Sequence, residues 1–148
     1  MRVVIQRVKK ASVSVDDRVV GSIGVGLLVL LGITQDDSQA DIDYLVRKIC
    51  GLRIFPDAHG TMNLSIEDVD ADILVISQFT LYAETKKGNR PSYINAARPE
   101  IAIPLYEAFM SSLSRKRDRD IPTGTFGADM QVSLVNDGPV TIILDSKE

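Results

Sequence analysis

A short polar motif, Ser77-Gln78-Phe79-Thr80-Leu81, ends a stretch whose apolar residues predict a buried strand over residues 73–81. Burying Ser, Gln and Thr is costly, because each polar group left without a partner costs about 1–3 kcal/mol. Two interpretations are open. The side chains satisfy neighbouring backbone groups, or they lie beside free N–H groups that form an oxyanion hole, which stabilises negative charge on a substrate oxygen.

A second motif, Asn136-Asp137-Gly138-Pro139-Val140-Thr141, lies near the C-terminus between two segments that each read as a strand, residues 130–135 and 140–144. Pro139 has no N–H to donate to a sheet, so it fits poorly inside a central strand. The residue types favour a turn between two strands. The alternative is that the chain turns here to present backbone carbonyls at a site.

Several familiar kinds of active site are poorly supported. The chain has one histidine, His59, in a turn rich in Pro and Gly, and one cysteine, Cys50, on the apolar face of a predicted helix. A catalytic triad would depend wholly on His59, and one Cys with one His cannot supply the usual zinc ligands. The acidic residues at 68, 70 and 72 lack the spacing of a calcium loop, and no glycine spacing matches a nucleotide-binding loop. We therefore expect no metal and no cofactor.

Two basic segments could contact phosphate groups. The first is the loop that carries Lys86, Lys87 and Arg90, and the second contains Arg115, Lys116, Arg117 and Arg119. We favour the loop because it follows the polar motif directly, whereas acidic residues dilute the second segment. The net charge of −3 argues against a general nucleic-acid coat protein, so any contact with nucleic acid must be local.

The length and composition indicate one domain spanning residues 1–148 with a substantial core. A lone cysteine fits a reducing compartment. The N-terminal apolar run is too short for a signal peptide, and no run approaches membrane-spanning length, so we expect a cytoplasmic protein without membrane contact.

The elements that must position these motifs are mostly strands. The pattern predicts strands at residues 3–8 and 11–15, a hairpin partner at 19–23, and a strand at 27–31 that is buried on both faces. One helix follows a cap at residues 36–38 and runs to about Leu52, and another lies between about Pro99 and Arg117, with Pro104 leaving its start open. A short strand at 53–55, a possible one near Phe126 and the two closing strands complete the chain. The predicted fold is a single α/β domain with mostly antiparallel or mixed sheets, curled into a barrel-like core with two main helices.

The chain resembles the D-aminoacyl-tRNA deacylases, and the bacterial type in particular. Besides the two motifs, the resemblance rests on segments along the whole length: residues 6–8, 11–13, 26–32, 62–64, 90–92 and 128–132. The resemblance implies hydrolysis of the ester that joins a D-amino acid, or glycine mischarged on tRNA-Ala, to the terminal adenosine of tRNA. It also implies rejection of L-aminoacyl substrates, a homodimer, and no DNA partner.

The resemblance also assigns roles to residues. Backbone N–H groups at Phe79 and Thr80 would face the substrate carbonyl, with Ser77 and Gln78 shaping the pocket. Gly138 and Pro139, joined by a cis bond and beside Asn136, would come from the partner subunit and exclude an L side chain. The resemblance further assigns contacts with the terminal adenine to Phe126 and Met130, and contacts with tRNA phosphates to Lys86, Lys87 and Arg90. Arg7 would brace the Gly-Pro segment.

Two other functions stay open at this point. The protein could be a nucleic-acid-binding module without activity, or a hydrolase with Thr80 as a covalent nucleophile. An aminoacyl ester is already activated and carries a neighbouring ribose 2′-hydroxyl, so orientation and oxyanion stabilisation could suffice without a histidine base. Nothing in the sequence places Lys or His to activate Thr80.

Overall fold

The computed structural model describes all residues from Met1 to Glu148. The elements in chain order are β1 (Arg2–Val15), β2 (Arg18–Ile23), β3 (Gly26–Gly32), α1 (Gln39–Gly51), β4 (Phe55–Pro56), β5 (Met62–Leu64), α2 (Ile66–Val69), β6 (Asp72–Ser77), a 3₁₀ helix (Phe79–Tyr82), α3 (Pro99–Arg117) and β7 (Gln131–Asp145). The predicted fold class is confirmed: a mixed α/β domain with a curled sheet, two long helices and the one-turn helix α2.

Strand β1 organises the main sheet, because it is long enough to pair with three other strands. Its first half pairs antiparallel with β3 and its second half with β2, while β7 follows the opposite edge along both halves. The parallel strand β6 extends the sheet beyond β3. The sequence suggested two separate strands at residues 3–8 and 11–15, but the structure has one continuous strand there, because its partners on both edges continue the ladder.

The core has two parts, one on each face of β3 and β6. On one face, the side chains of Leu27, Val29 and Val75 pack with α1 and α3 in the larger cluster. On the other face, Leu28 and Leu74 belong to a smaller cluster that the curled half of β1 and β2 encloses. This arrangement explains the unbroken apolar run of β3, which is buried on both faces as predicted.

The helices follow the sequence pattern closely. Ser38 is the N-cap of α1, and its N–H donates to the Asp41 carboxylate at 2.8 Å. The apolar face predicted for α1 is buried, including Cys50, whose burial raises the pKa of its thiol to about 11. Helix α3 begins at Pro99, so Pro104 lies inside it near its N-terminal end. No helix has the length and apolar character needed to cross a membrane.

The sequence suggested that the strand continues through the polar motif to residue 81, but it does not. Strand β6 ends at Ser77, and the last ladder bond runs from the N–H of Gln78 to the carbonyl of Leu31 at 2.7 Å. Beyond it β3 offers no partner, and the chain turns into the 3₁₀ helix. Gly32 permits this close turn, because a Cβ there would lie 3.0 Å from the Cβ of Leu81.

The second motif does not reverse the chain either. Both flanking segments belong to β7 and pair with β1, so the prediction of two strands joined by a turn is wrong. Gln6 pairs with Thr141 and Val8 with Asn136, which leaves residues 137–140 opposite Arg7 alone. These four residues form a large bulge, which we call the Gly-Pro bulge. Because the bulge is outside the ladder, the missing N–H of Pro139 breaks no ladder bond.

Smaller differences concern short elements. The strand expected at 53–55 is β4 at Phe55–Pro56, and its partner β5 was not expected. Phe126 lies in a turn and not in a strand. The hairpin between β1 and β2 is confirmed, and Asp16 and Asp17 adopt the positive φ angles that a tight hairpin turn requires.

Candidate active site

A small cavity lies at the end of β6 and is lined by the start of the polar motif. Its volume is about 60 Å³, and its walls come from five parts of the chain: Leu31, Ile33, Ser77, Gln78, Phe79, Ala97, Ala102, Phe126 and Gly127. Pockets that hold a whole small ligand measure roughly 300–1,000 Å³. One chain therefore provides only part of a site for an aminoacyl nucleoside.

Two backbone N–H groups have no acceptor, those of Phe79, which lines the cavity, and of Thr80, the residue after it. The N–H groups of Phe79 and Thr80 begin the 3₁₀ helix, and the first bond within the turn runs from Leu81 to the carbonyl of Gln78. Neither Phe79 nor Thr80 donates its N–H to another protein group. Such donors at the mouth of a cavity are what an oxyanion hole consists of.

The side chains of the motif interact with one another. Gln78 Nε2 lies 2.5 Å from Thr80 Oγ1, and both side chains are half-buried. Arg2 supports the far end of the turn, because its guanidinium donates to the carbonyl of Leu81 at 2.8 Å and lies over the ring of Tyr82. The sequence reasoning missed Arg2, since nothing local links the first strand to residue 81.

None of the side chains that line the cavity is an acid or a base that titrates near neutral pH. Burial raises the pKa of Tyr82, and nearby carboxylates including Asp37 raise it further, so the phenol stays neutral. Burial also raises the pKa of Tyr106, whose hydroxyl is hydrogen-bonded to that of Thr123. His59 lies in the exposed turn between β4 and β5 and does not line the cavity. The chain thus offers donors for an oxyanion but no general base.

The residues predicted for adenine binding are separated. Phe126 lines the cavity, and its ring packs against Tyr106 with the centroids 5.5 Å apart. Met130 does not line the cavity and packs against the smaller core cluster. The structure of one chain therefore brings Phe126, but not Met130, to the polar motif.

The Gly-Pro bulge projects from the other side of β1. Gly138 and Pro139 are exposed, and the peptide bond between them is cis, as the resemblance implied. Gly138 has a φ of +126°, and a Cβ there would lie 2.9 Å from Val140 Cγ2 and 3.1 Å from Arg7. The bulge therefore requires glycine at this position.

Arg7 holds the bulge in place. Its guanidinium donates to the carbonyl of Asp137 at 3.1 Å and to the carbonyl of Ile54 at 2.6 Å. The Asp137 carboxylate lies 3.4 Å from Arg7 Nε, and the exposed Lys9 lies 3.7 Å from the same carboxylate. Arg7 is itself buried, so it links two backbone segments inside the protein.

The bulge and the polar motif of one chain lie far apart. The bulge lies on β7 and the polar motif follows β6, and β1 and β3 lie between these two strands. Along the strand direction, the bulge is opposite Arg7, whereas Ser77 is in register with Leu31 and Val3, four residues away on β1. Strands are about 4.8 Å apart and rise about 3.3 Å per residue, so the separation is on the order of 20 Å.

The basic residues divide into free and paired groups. Lys86, Lys87 and Arg90 are exposed and form no ion pair. Their loop is closed by two backbone bonds between Glu84 and Ser92, of 2.8 and 3.0 Å. In the second segment, by contrast, Arg117 is buried, Lys116 lies near Glu67, and Arg119 pairs with Asp70 and Asp72. Asp70 and Asp72 thus pair with Arg119, whereas Asp68 caps α2 through Ser65, and no group of acidic, His or Cys residues is placed to hold a metal.

Comparisons with known proteins point to one family. A family model described as D-Tyr-tRNA(Tyr) deacylase matches residues 4–145. Proteins named D-aminoacyl-tRNA deacylase from Bacteroides thetaiotaomicron and Flavobacterium psychrophilum are 60% and 59% identical, each over 99% of this chain and 98% of the relative. A solved structure named c-Myc DNA Unwinding Element Binding Protein is 44% identical with a TM-score of 0.93, covering 98% of both chains. A probable eukaryotic D-amino acid tRNA deacylase, at 19% identity and a TM-score of 0.84 over 97% of both chains, shares the fold.

Proposed function

The chain belongs to the D-aminoacyl-tRNA deacylases, which are hydrolases of the aminoacyl ester bond, and we propose that it acts as a chiral proofreader. It releases D-amino acids from tRNA, and glycine mischarged on tRNA-Ala, and it rejects L-aminoacyl-tRNA. The observation that carries the proposal is the pair of unpartnered N–H groups at Phe79 and Thr80 beside a cavity without a base. A tRNA substrate makes the cytoplasm the working compartment.

In the proposed mechanism, the N–H groups of Phe79 and Thr80 stabilise the oxyanion that forms when the ester carbonyl is attacked. The ester is already activated, so water and the ribose 2′-hydroxyl of the substrate carry out the proton transfers. Ser77 and Gln78 shape the cavity around the carbonyl. The aromatic ring of Phe126 is suited to stack on the terminal adenine, because every base presents a π face. The role of Met130 in adenine binding stays a prediction.

Chiral selection is the part we assign to a second subunit. The carbonyls of Gly138 and Pro139, beside Asn136, would hold the α-amino group of the substrate and leave no room for an L side chain. A separation on the order of 20 Å prevents the bulge from reaching the polar motif of its own chain. The small volume of the cavity also supports completion of the site by a partner. Arg7 would fix the bulge, through its bonds to the carbonyls of Asp137 and Ile54.

An apolar row that runs from the smaller core cluster to the exposed edge of the sheet supports a homodimer. Ile143, Val4, Leu30 and Ile76 are in register on four neighbouring strands. Ile76 at one end of the row is buried, whereas Ile143 at the other end is 67% exposed. An exposed apolar side chain on an edge strand favours pairing with another protein surface. The free residues Lys86, Lys87 and Arg90 would contact tRNA phosphates.

The decisive experiment compares matched D-aminoacyl-tRNA and L-aminoacyl-tRNA, with glycyl-tRNA-Ala as a third substrate. We expect rapid release of the D-amino acid and of glycine, and no release of the L-amino acid above the uncatalysed rate. A Gly138→Ala variant should lose turnover of D-aminoacyl-tRNA, because its Cβ would crowd Val140 and Arg7. Equal turnover of D and L substrates would exclude chiral proofreading.

A nucleic-acid-binding module without activity is the second candidate, because the name of one similar structure states DNA binding. The net charge of −3 argues against it for this chain. Salt-dependent binding of DNA, together with no cleavage of any aminoacyl-tRNA, would favour this candidate and exclude the deacylase.

A further inference from the structure

An exposed aromatic ring lies next to the candidate active site without a role in the proposed mechanism. The ring of Tyr93 is 42% exposed and contacts the ring of Phe79 edge to face, with the centroids 5.1 Å apart. Phe79 lines the cavity, whereas Tyr93 contacts Phe79 without lining the cavity itself. Neither ring belongs to the core, so both can accept a further contact.

The backbone around Tyr93 is held firmly although the side chain is exposed. Thr34 Oγ1 donates to the carbonyl of Asn95 at 2.6 Å, and Gln35 donates to the carbonyl of Ile94 at 3.1 Å. Ser92 on the other side makes two backbone bonds with Glu84. The backbone that carries the ring is therefore anchored, so a ligand that stacks on the ring would lose little free energy in ordering the loop.

The charges near Tyr93 indicate which kind of ligand would bind there. Lys86, Lys87 and Arg90 lie in the loop that the Glu84 and Ser92 bonds close, immediately before Tyr93, and none of them is paired with a carboxylate. An aromatic ring beside unpaired cations is the combination that binds single-stranded nucleic acid, in which the bases stack and the phosphates are neutralised. An apolar protein surface would not match these charges.

We infer that Tyr93 stacks on the base of the unpaired nucleotide that precedes the terminal adenosine of the tRNA. The inference rests on the proposed function, which puts the terminal adenosine in the cavity at Phe126. The chain of nucleotides must leave that cavity past its rim, and the Phe79 and Tyr93 rings form one part of the rim. Unstacked bases at RNA ends are commonly recognised on aromatic side chains in this way.

The test compares two substrates that differ only in the preceding nucleotides. One is D-aminoacyl-tRNA, and the other is adenosine carrying the same D-aminoacyl ester on its ribose. Stacking contributes about 1–3 kcal/mol per base, so Tyr93→Ala should lower kcat/KM for the tRNA about 5- to 160-fold, mainly through KM. Turnover of the aminoacyl-adenosine should change by less than about twofold. Tyr93→Phe keeps the ring and should behave as wild type on both substrates.

Ile94→Ala provides a matched control, because this neighbouring side chain is 75% exposed but has no ring. An equal loss in Ile94→Ala and Tyr93→Ala would overturn stacking in favour of simple apolar contact. Equal losses of turnover on both substrates in Tyr93→Ala would overturn the inference and assign Tyr93 to the catalytic site. A changed oligomeric state in this variant would overturn it too and assign Tyr93 to a subunit interface. If wild type cleaves neither substrate, the proposed function fails. Weaker binding of uncharged tRNA by Tyr93→Ala than by Tyr93→Phe would then still support stacking, and equal binding would exclude it.

Discussion

At the scale of single residues, we propose that the polar motif acts through its backbone more than through its side chains. Thr80 has the only hydroxyl in the motif with a side-chain partner, and that partner is the amide of Gln78. An amide cannot take the proton of a hydroxyl at neutral pH, so Gln78 does not activate Thr80 as a nucleophile. The N–H groups of Phe79 and Thr80, in contrast, are free and remain after any side chain is changed.

We therefore expect Thr80→Ala and Thr80→Val to keep turnover of D-aminoacyl-tRNA within about tenfold of wild type. Thr80→Val is the closer match, because it removes the hydroxyl and keeps the shape. Removing a true nucleophile costs on the order of 10⁶ in kcat, so single-turnover rates separate the two cases clearly. A loss of that size in Thr80→Val, with the fold intact, would establish a covalent mechanism.

At the scale of elements, the Gly-Pro bulge depends on its position opposite Arg7 of β1. Residues 137–140 have no strand partners of their own, and Arg7 replaces those partners with bonds to the carbonyls of Asp137 and Ile54. Arginine donates to the two carbonyls from two different nitrogens of a rigid planar guanidinium, whereas lysine has only one nitrogen and would have to bring both carbonyls to it. The shape of the bulge is thus set by a side chain about 130 residues earlier in the sequence.

Arg7→Lys should lose most of its turnover of D-aminoacyl-tRNA and about 1–3 kcal/mol in the free energy of unfolding, because a backbone carbonyl is left unpaired. Urea denaturation and hydrolysis assays measure the two effects. Lys9→Ala is the matched control, since Lys9 approaches the same Asp137 carboxylate but its side chain is 63% exposed. An exposed ion pair contributes about 0–1 kcal/mol, so this variant should resemble wild type. Wild-type turnover in Arg7→Lys would show that the bulge needs no such support.

At the scale of the whole molecule, the proposed site needs two parts of the chain that lie too far apart to meet within one subunit. The cavity of about 60 Å³ lies at the end of β6, and the Gly-Pro bulge lies on the order of 20 Å away on the far side of β1. The exposed Ile143 on the edge strand β7 offers a surface through which a second copy could bring its bulge to the cavity. Dimer formation would then be a condition for activity.

Ile143→Asp should yield a monomer with little turnover, because a charge at the apolar edge opposes association. Light scattering after gel filtration measures the mass, and circular dichroism checks the fold. Val19→Asp is the control, since Val19 is 64% exposed but lies on β2, away from the edge formed by β7. A fully active Ile143→Asp monomer would contradict the shared site.

The sequence by itself determined the features that depend on neighbours along the chain. The buried face of α1, the hairpin at Asp16 and Asp17, and the doubly buried β3 all follow from local patterns of apolar and turn residues. The full-length resemblance supplied the family. Only the tertiary structure decided features that depend on distant partners. Whether residues 130–145 form two strands or one was set by pairing with β1, and the end of the strand before Gln78 was set by the length of β3. The physical reason is that a local pattern fixes which face of an element is apolar, whereas hydrogen-bond pairing and separations between motifs arise only when remote segments pack together.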